Sequence, residues 1–174
     1  MTLIECEFDR HGDAVLAIFN DAILNTTALY EYRPRTAAFV EEWFQTKRKG
    51  DFPVIGMRDE ESGRLMGFAS YGPFRPHAAY RYSVEHSVYV DRDFRKRGVA
   101  RQLMSALIER AEAQQYHTLI GGIDASNAPS IALHERLGFV HAGTVRQAGY
   151  KFDRWLDLAF YQRVLSTPAN PRVD

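Results

Sequence analysis

The sequence predicts a mixed α/β (α+β) domain whose central sheet has about six or seven strands flanked by about four helices. Segments with the two-residue period of a half-buried strand alternate along the chain with segments of helical spacing. A hairpin pattern appears in each half, which calls for antiparallel neighbours. Between the hairpins a strand passes through a basic turn into a helix.

Ile4, Cys6 and Phe8 alternate with Glu5 and Glu7 as a first strand, and Val15, Ile18, Phe19, Ala22 and Ile23 mark a helix. A second helix is expected from Thr36 as N-cap through Phe39, Val40, Trp43 and Phe44 to a stop at Gly50. Phe52–Arg58 and Leu65–Tyr71 read as a hairpin around Asp59–Gly63, followed by a Pro-containing loop from Gly72 to Ala79. Tyr82–Val90 is strand-like, and Val99, Leu103, Leu107, Ile108 and Ala111 form the stripe of a helix opening near Gly98. Thr118–Ile123 is a further strand. Pro129–Leu137 is a short helix with proline in its first turn and Gly138 beyond its end. Phe139–Val145 and Trp155–Arg163 close the sheet, and residues 166–174 are expected to be a disordered tail to one domain over residues 1–165.

The chain has 174 residues, within the usual one-domain range of roughly 100–200. Lysine plus arginine and aspartate plus glutamate both number 22, a balance that gives no support to nucleic-acid binding or to an anionic membrane surface. Cys6 is the single cysteine, so no intrachain disulfide or multi-cysteine zinc site is available and a reducing, cytoplasmic setting is expected. No apolar run reaches the roughly 18 residues of a membrane span, and the charged start lacks a signal-peptide core.

The most informative segment is Val88-Tyr89-Val90-Asp91-Arg92-Asp93-Phe94-Arg95-Lys96-Arg97-Gly98-Val99-Ala100-Arg101. N–H groups at a helix start carry about half a positive charge and cradle a pyrophosphate where small residues such as Gly98 and Ala100 let the backbone approach. A P-loop would need Gly-Lys-Ser/Thr, and a dinucleotide fingerprint three spaced glycines after the first strand; neither is present. Arg95-Lys96-Arg97-Gly98-Val99-Ala100 resembles the Arg/Gln-x-x-Gly-x-Gly/Ala signature with which GNAT N-acetyltransferases hold the pyrophosphate of acetyl-CoA. Asp124 to Phe139, ending in Leu-Gly-Phe, resembles the family's Asn-containing loop and short helix.

A finer resemblance, to the phosphinothricin and methionine sulfoximine acetyltransferases of that superfamily, is carried by Asn20–Ile23, Thr26-Thr27, Glu85–Val90 and Gly149–Asp157. It spans residues 3 to 165. The resemblance implies the GNAT fold with splayed central strands forming the acetyl-CoA cleft, acetyl-CoA as co-substrate, no metal, a small-molecule amine acceptor and a homodimer. It implies cofactor contacts at Val88, Tyr89, Val90, Arg95, Lys96, Arg97, Gly98, Val99, Ala100, Arg101, Asn127 and Ser130. Among these, the backbone N–H groups of Val88–Val90 are expected to polarise the thioester carbonyl.

Acetyl transfer to an amine needs a neutral nucleophile, a donor for the developing oxyanion and, where the thiolate does not leave freely, a proton for it. Strand parity sets Glu85, Ser87 and Tyr89 on one face and Val84, His86, Val88 and Val90 on the other. Glu85 is the candidate general base, directly or through water, because a partly desolvated carboxylate has a raised pKa. His134 stands where many GNAT enzymes carry a tyrosine, and the phosphinothricin branch resembles this chain in having histidine there; its expected role is a second base or an acid. In Gly72–Tyr82, Arg75 is the candidate for the carboxylate of an amino-acid-like substrate, with Pro76, His77 and Tyr80 beside it. Glu85, His86, Ser87 and Thr27 complete the expected substrate contacts, Thr26 and Thr27 reading equally as helix-ending residues. Lys151 and Trp155, in a matched segment, are read only as packing a C-terminal hairpin. The implied activity is acetylation of a toxic glutamate analogue, with herbicide resistance as its consequence. The alternatives are a peptide or polyamine acetyltransferase, the latter disfavoured by the cationic loop, and a non-catalytic acyl-CoA-binding module.

Overall fold

The computed structural model describes residues 1–173. These residues form seven strands: β1 (Thr2–Glu5), β2 (Val54–Arg58), β3 (Leu65–Pro73), β4 (Ser83–Val90), β5 (Thr118–Asp124), β6 (Val140–Lys151) and β7 (Arg154–Val164). Four α-helices accompany them: α1 (Phe8–Asn25), α2 (Ala37–Lys49), α3 (Val99–Ala113) and α4 (Ala128–Arg136). The strands form one open mixed sheet in the order β1-β2-β3-β4-β5-β7-β6. Among the described residues, no helix is long and apolar enough to cross a membrane.

The described chain divides into two compact units, each drawn from two segments: residues 1–71 with 87–107, and residues 72–86 with 108–173. In the first unit, β1, β2 and β3 are antiparallel neighbours, with Ile4 opposite Gly56 and Val54 opposite Ser70. The predicted hairpin turn closes through Asp59 N–H donating to the Arg64 carbonyl (2.9 Å) and Gly63 N–H to the Asp59 carbonyl (2.9 Å). The stripe Val15, Ile18 and Phe19 of α1 meets Val40 and Phe44 of α2 and Val54, Leu65 and Phe68 of the sheet in one buried core. Edge-to-face rings hold its centre: Phe19 lies 5.4 Å from Trp43 and 4.9 Å from Phe68, centroid to centroid. Thr36 caps α2 as its sequence predicts, its side chain accepting from Phe39 N–H.

The first strand is shorter than its alternation predicts, and α1 starts at Phe8. Cys6 N–H still donates to the Val54 carbonyl at 2.8 Å, so the strand's bonding ends there. Phe8 turns onto Phe44, 6.1 Å between ring centroids, an apolar position that serves the helix rather than the strand.

In the second unit, β5 pairs parallel with β4 over Ser83–Glu85 against Thr118–Ile120, and antiparallel with β7 along Thr118–Asp124. Leu119, Ile120, Ile123, Phe139, Leu156, Ala159 and Tyr161 are among its buried apolar residues. β6 runs on to Lys151, past the predicted end at Val145. The intervening Arg146–Gly149 breaks the alternation, but the strand survives through a register shift at which Gln147 N–H donates to Asp157 Oδ1 (2.8 Å). Phe152 and Asp153, both at positive φ, make the turn into β7. After Leu165 the chain is tied back by Thr167 Oγ1 donating to the Tyr116 carbonyl and by hydrogen bonds between Tyr82 Oη and Arg172.

Candidate active site

β4 carries the expected cluster, and its parity is as predicted: Val84 and His86 are buried, while Glu85 and Ser87 are half-buried. Burial raises the Glu85 carboxyl above its ordinary value, and the nearby positive charge of Arg75 holds it back. The Arg75 loop is pinned at its base by Phe74 N–H donating to the Ser83 carbonyl (3.2 Å). Arg75 lies over the Phe74 ring, 4.1 Å from its centroid, with Nη1 donating to the Phe74 carbonyl. Tyr80 packs on the same ring at 5.8 Å, and Arg75, Pro76, His77 and Tyr80 are all exposed. The second unit therefore brings Glu85, Arg75 and the ring-braced loop together.

His134 is placed differently from a partner of Glu85. A Cβ built on Gly122 would lie 3.4 Å from Glu85 Oε1, whereas one built on Gly121 would lie 3.2 Å from His134 Nε2 and 2.8 Å from His86 Nε2. Adjacent residues of a strand face opposite ways, so the two histidines occupy the face of β5 opposite to Glu85. His134 and His86 are only 3% and 6% exposed and stack at 5.1 Å with 19° between their planes. The His86 side chain, expected among the substrate contacts, is thus packed against another imidazole. Burial lowers the pKa of both, that of His86 to about 3, with the charge of His134 adding to the effect there; for His134 a bond to the Ser130 carbonyl works the other way. Since a carbonyl only accepts, His134 Nδ1 is the donor at 2.7 Å, and in the neutral ring Nε2 is the bare nitrogen.

α4 begins with Asn127, whose side chain accepts from Ser130 N–H (3.2 Å). Its approach is fixed by a residue that pattern reading passed over. Buried Asp124 accepts from Ser126 N–H and Oγ through Oδ1 and from Arg154 through Oδ2, at 3.0, 2.9 and 3.1 Å.

In the first unit the basic turn opens α3 as predicted, and the backbone itself supplies a further reason for glycine there. A Cβ on Gly98 would meet nothing within 4 Å, while its φ of +80° is one that only glycine adopts readily. Lys96 also has positive φ, Val99 is buried, Ala100 is half-buried, and Arg101 is exposed on the helix. Arg95 donates to Asp21 Oδ2 (2.9 Å), and Arg97 lies 3.9 Å from Asp59 Oδ1. Val88 and Val90 are half-buried, and the Tyr89 ring joins the aromatic core 5.1 Å from Phe19 instead of lining a polar face. Thr27 is half-buried beyond α1, while Thr26 ends that helix with Oγ1 donating to the Ala22 carbonyl (2.7 Å). Asp21 falls in a segment that carries the finer resemblance, but no local pattern pairs it with Arg95, far along the chain.

The sequence profile of the acetyltransferase (GNAT) family matches residues 16–139, which take in β4, the basic turn and α4. The chain belongs to the GNAT acetyltransferase family. This GNAT enzyme is 47% identical over 148 residues to the L-methionine sulfoximine/L-methionine sulfone acetyltransferase of Pseudomonas aeruginosa, an alignment covering 85% of this chain and 86% of that protein. It is 34% identical to the phosphinothricin N-acetyltransferase of Streptomyces viridochromogenes, over 91% of this chain and 85% of that one. A GNAT superfamily phosphinothricin acetyltransferase of Sinorhizobium meliloti, solved in complex with acetyl-CoA, superposes with a TM-score of 0.93 at 33% identity, covering 98% of this chain and 91% of that one. The activity of the chain is accordingly that of an N-acetyltransferase. Among the described residues, no group of three or more His, Cys, Asp or Glu side chains is arranged to hold a metal ion.

Proposed function

We propose that this GNAT enzyme transfers the acetyl group of acetyl-CoA to the amino group of a small acidic amino-acid analogue such as phosphinothricin or methionine sulfoximine. The biological effect is detoxification, read as herbicide resistance. The names of its relatives support this substrate class, and the observation that carries it in this chain is Glu85, a carboxyl raised by burial with the Arg75 loop beside it. Arg75 takes the substrate carboxylate through paired hydrogen bonds, and Pro76, His77, Tyr80, Ser87, Thr27 and the backbone of His86 complete the contacts. Glu85 removes a proton from the substrate ammonium, directly or through water, leaving the neutral amine. His134, with Nδ1–H on the Ser130 carbonyl, offers Nε2 as a second proton acceptor.

Acetyl-CoA supplies the activated acyl group as a thioester. The turn Arg95-Lys96-Arg97-Gly98 and the α3 start at Val99, Ala100 and Arg101 hold its pyrophosphate, Asn127 and Ser130 make further contacts, and the N–H groups of Val88, Tyr89 and Val90 polarise its carbonyl. No metal is required. We place the enzyme in the cytoplasm as one domain over residues 1–165, with no nucleic-acid or membrane partner. We also propose a homodimer, supported by the exposed apolar side chains Val145, Tyr150, Phe152 and Trp155 of the β6–β7 hairpin.

The test is free-thiol release from acetyl-CoA with methionine sulfoximine, phosphinothricin, spermidine and a short peptide as parallel acceptors, repeated with Glu85→Gln. Turnover on the first two alone is expected, with kcat about 10²–10⁴-fold lower in the variant. Turnover only on peptide or polyamine overturns the substrate class, and none at all points to a binding module.

A further inference from the structure

Two consecutive glycines, Gly121 and Gly122, sit inside β5 among Leu119, Ile120 and Ile123. Glycine weakens a strand, and inside one it commonly marks a place where another group approaches closely. At Gly121 that group is a pair of imidazoles. A Cβ there would lie 2.8 Å from His86 Nε2, 3.0 Å from His86 Cε1 and 3.2 Å from His134 Nε2, distances at which something must shift. These are atoms of rigid rings in a filled interior. Phe139 packs edge-on against both, at 5.2 and 5.1 Å, and Tyr161 lies 6.4 Å from His134. A close-packed interior of this kind leaves little room for a ring to step aside.

One end of the His134 ring is fixed by a hydrogen bond, Nδ1–H to the Ser130 carbonyl. The other end, Nε2, is buried and has no hydrogen-bond partner among the described residues. With Nδ1 held, the freedom left to the ring is limited by packing: the stacked His86 ring on one side and the bare backbone of Gly121 beneath. The His86 nitrogens are likewise buried without partners among the described residues, so His86 meets His134 with its ring face. The titratable rings packed against His134 are those of His86 from β4 and Tyr161 from β7.

We infer that Gly121 and His86 are positioning residues for His134, one by lacking a side chain and the other by stacking, and that together they hold Nε2 in a single direction as the unprotonated nitrogen. The catalytic weight of this arrangement rests on the proposed role of His134 as proton acceptor, so the test reads the ring and the reaction separately.

Gly121→Ala and Gly122→Ala are compared, since each adds one methyl group to an opposite face of the same strand. Ring ¹⁵N resonances of His134 across a pH titration report its tautomer and protonation, and kcat against pH reports the reaction. In Gly121→Ala the His134 resonances and titration midpoint are expected to move, with kcat lower by about tenfold to a hundredfold and its acid limb displaced. In Gly122→Ala the His134 resonances are expected to stay in place. Unchanged His134 resonances in Gly121→Ala, or an equal change in Gly122→Ala, overturn the inference. Resonances that move while kcat and its pH profile do not would uphold the positioning and remove His134 from the reaction. If Gly121→Ala does not fold, His86→Leu, which takes away the stacked ring and adds no overlap on β5, is read in the same way, and an unmoved His134 again overturns the inference.

Discussion

Arg75 and Glu85 illustrate how two side chains of one unit adjust each other. Burial raises the Glu85 carboxyl and the Arg75 charge lowers it, so removing the guanidinium leaves burial unopposed. Arg75→Ala is therefore expected to move the acid limb of the pH–rate profile to higher pH, because the base then keeps its proton further into the neutral range. The same substitution removes the proposed anchor of the substrate carboxylate, a charge-assisted interaction whose loss raises the acceptor KM by about tenfold to a hundredfold. Initial rates against acceptor concentration at several pH values check both effects, with the KM for acetyl-CoA unchanged. Arg75→Lys, which keeps the charge but not the planar fork, should restore the pH profile more fully than the KM.

The start of α3 and the start of α2 are built by different devices, and substitutions separate them. Gly98 supplies a left-handed residue before the first turn of α3, with open space around its missing side chain. Gly98→Ala is expected to cost about 1–2 kcal/mol from backbone strain and also to raise the KM for acetyl-CoA, since the proposed pyrophosphate contacts depend on that turn. Thr36 caps α2 through its side chain, and Thr36→Ala is expected to cost about 1 kcal/mol with no change in that KM. Urea denaturation of the two variants beside their kinetics tests the distinction. If Gly98→Ala loses stability alone, the turn is structural only.

At the scale of the whole molecule, the buried histidine pair pushes the response to acid in one direction, shared by His11, whose pKa burial also lowers. His86 falls from an ordinary value of 6.5 to about 3 in the fold, and His134 is lowered as well. The unfolded chain takes up these protons near its ordinary value while the folded chain refuses them, so their stabilising effect is complete above about pH 6.5. It is lost progressively as the pH falls from there toward 3. Glu85, raised by burial, works in the opposite sense, but it is only half-buried. Urea midpoints between pH 7.5 and 5 are expected to fall in the natural protein and to fall less in His86→Phe, which keeps a stacked ring without a titrating group. Equal slopes would show that the pair does not govern acid stability.

Local pattern accounts for much of this protein. Two-residue and helical periods, together with turn and cap residues, placed an element at each of the seven strands and four helices of the described residues, with the Thr36 cap and Gly50 stop of α2, because each depends on neighbours a few residues apart. Motif resemblance then supplied the GNAT family and, as candidates, Glu85 and the Arg75 loop. The bounds of β1 and α1 escaped that logic because Phe8 keeps the strand's alternation while packing as a helix residue on Phe44. β6 escaped it because a register shift and the Gln147–Asp157 bond carry the strand through residues that break its alternation. The Arg95–Asp21 pair, the Asp124 brace and the seat of His86 and His134 over Gly121 were decided by the tertiary structure alone. Periodicity reports which face a residue takes on its own element, whereas these contacts join residues far apart in the chain, and only closure of the sheet and the packing of helices on it brings their atoms within reach.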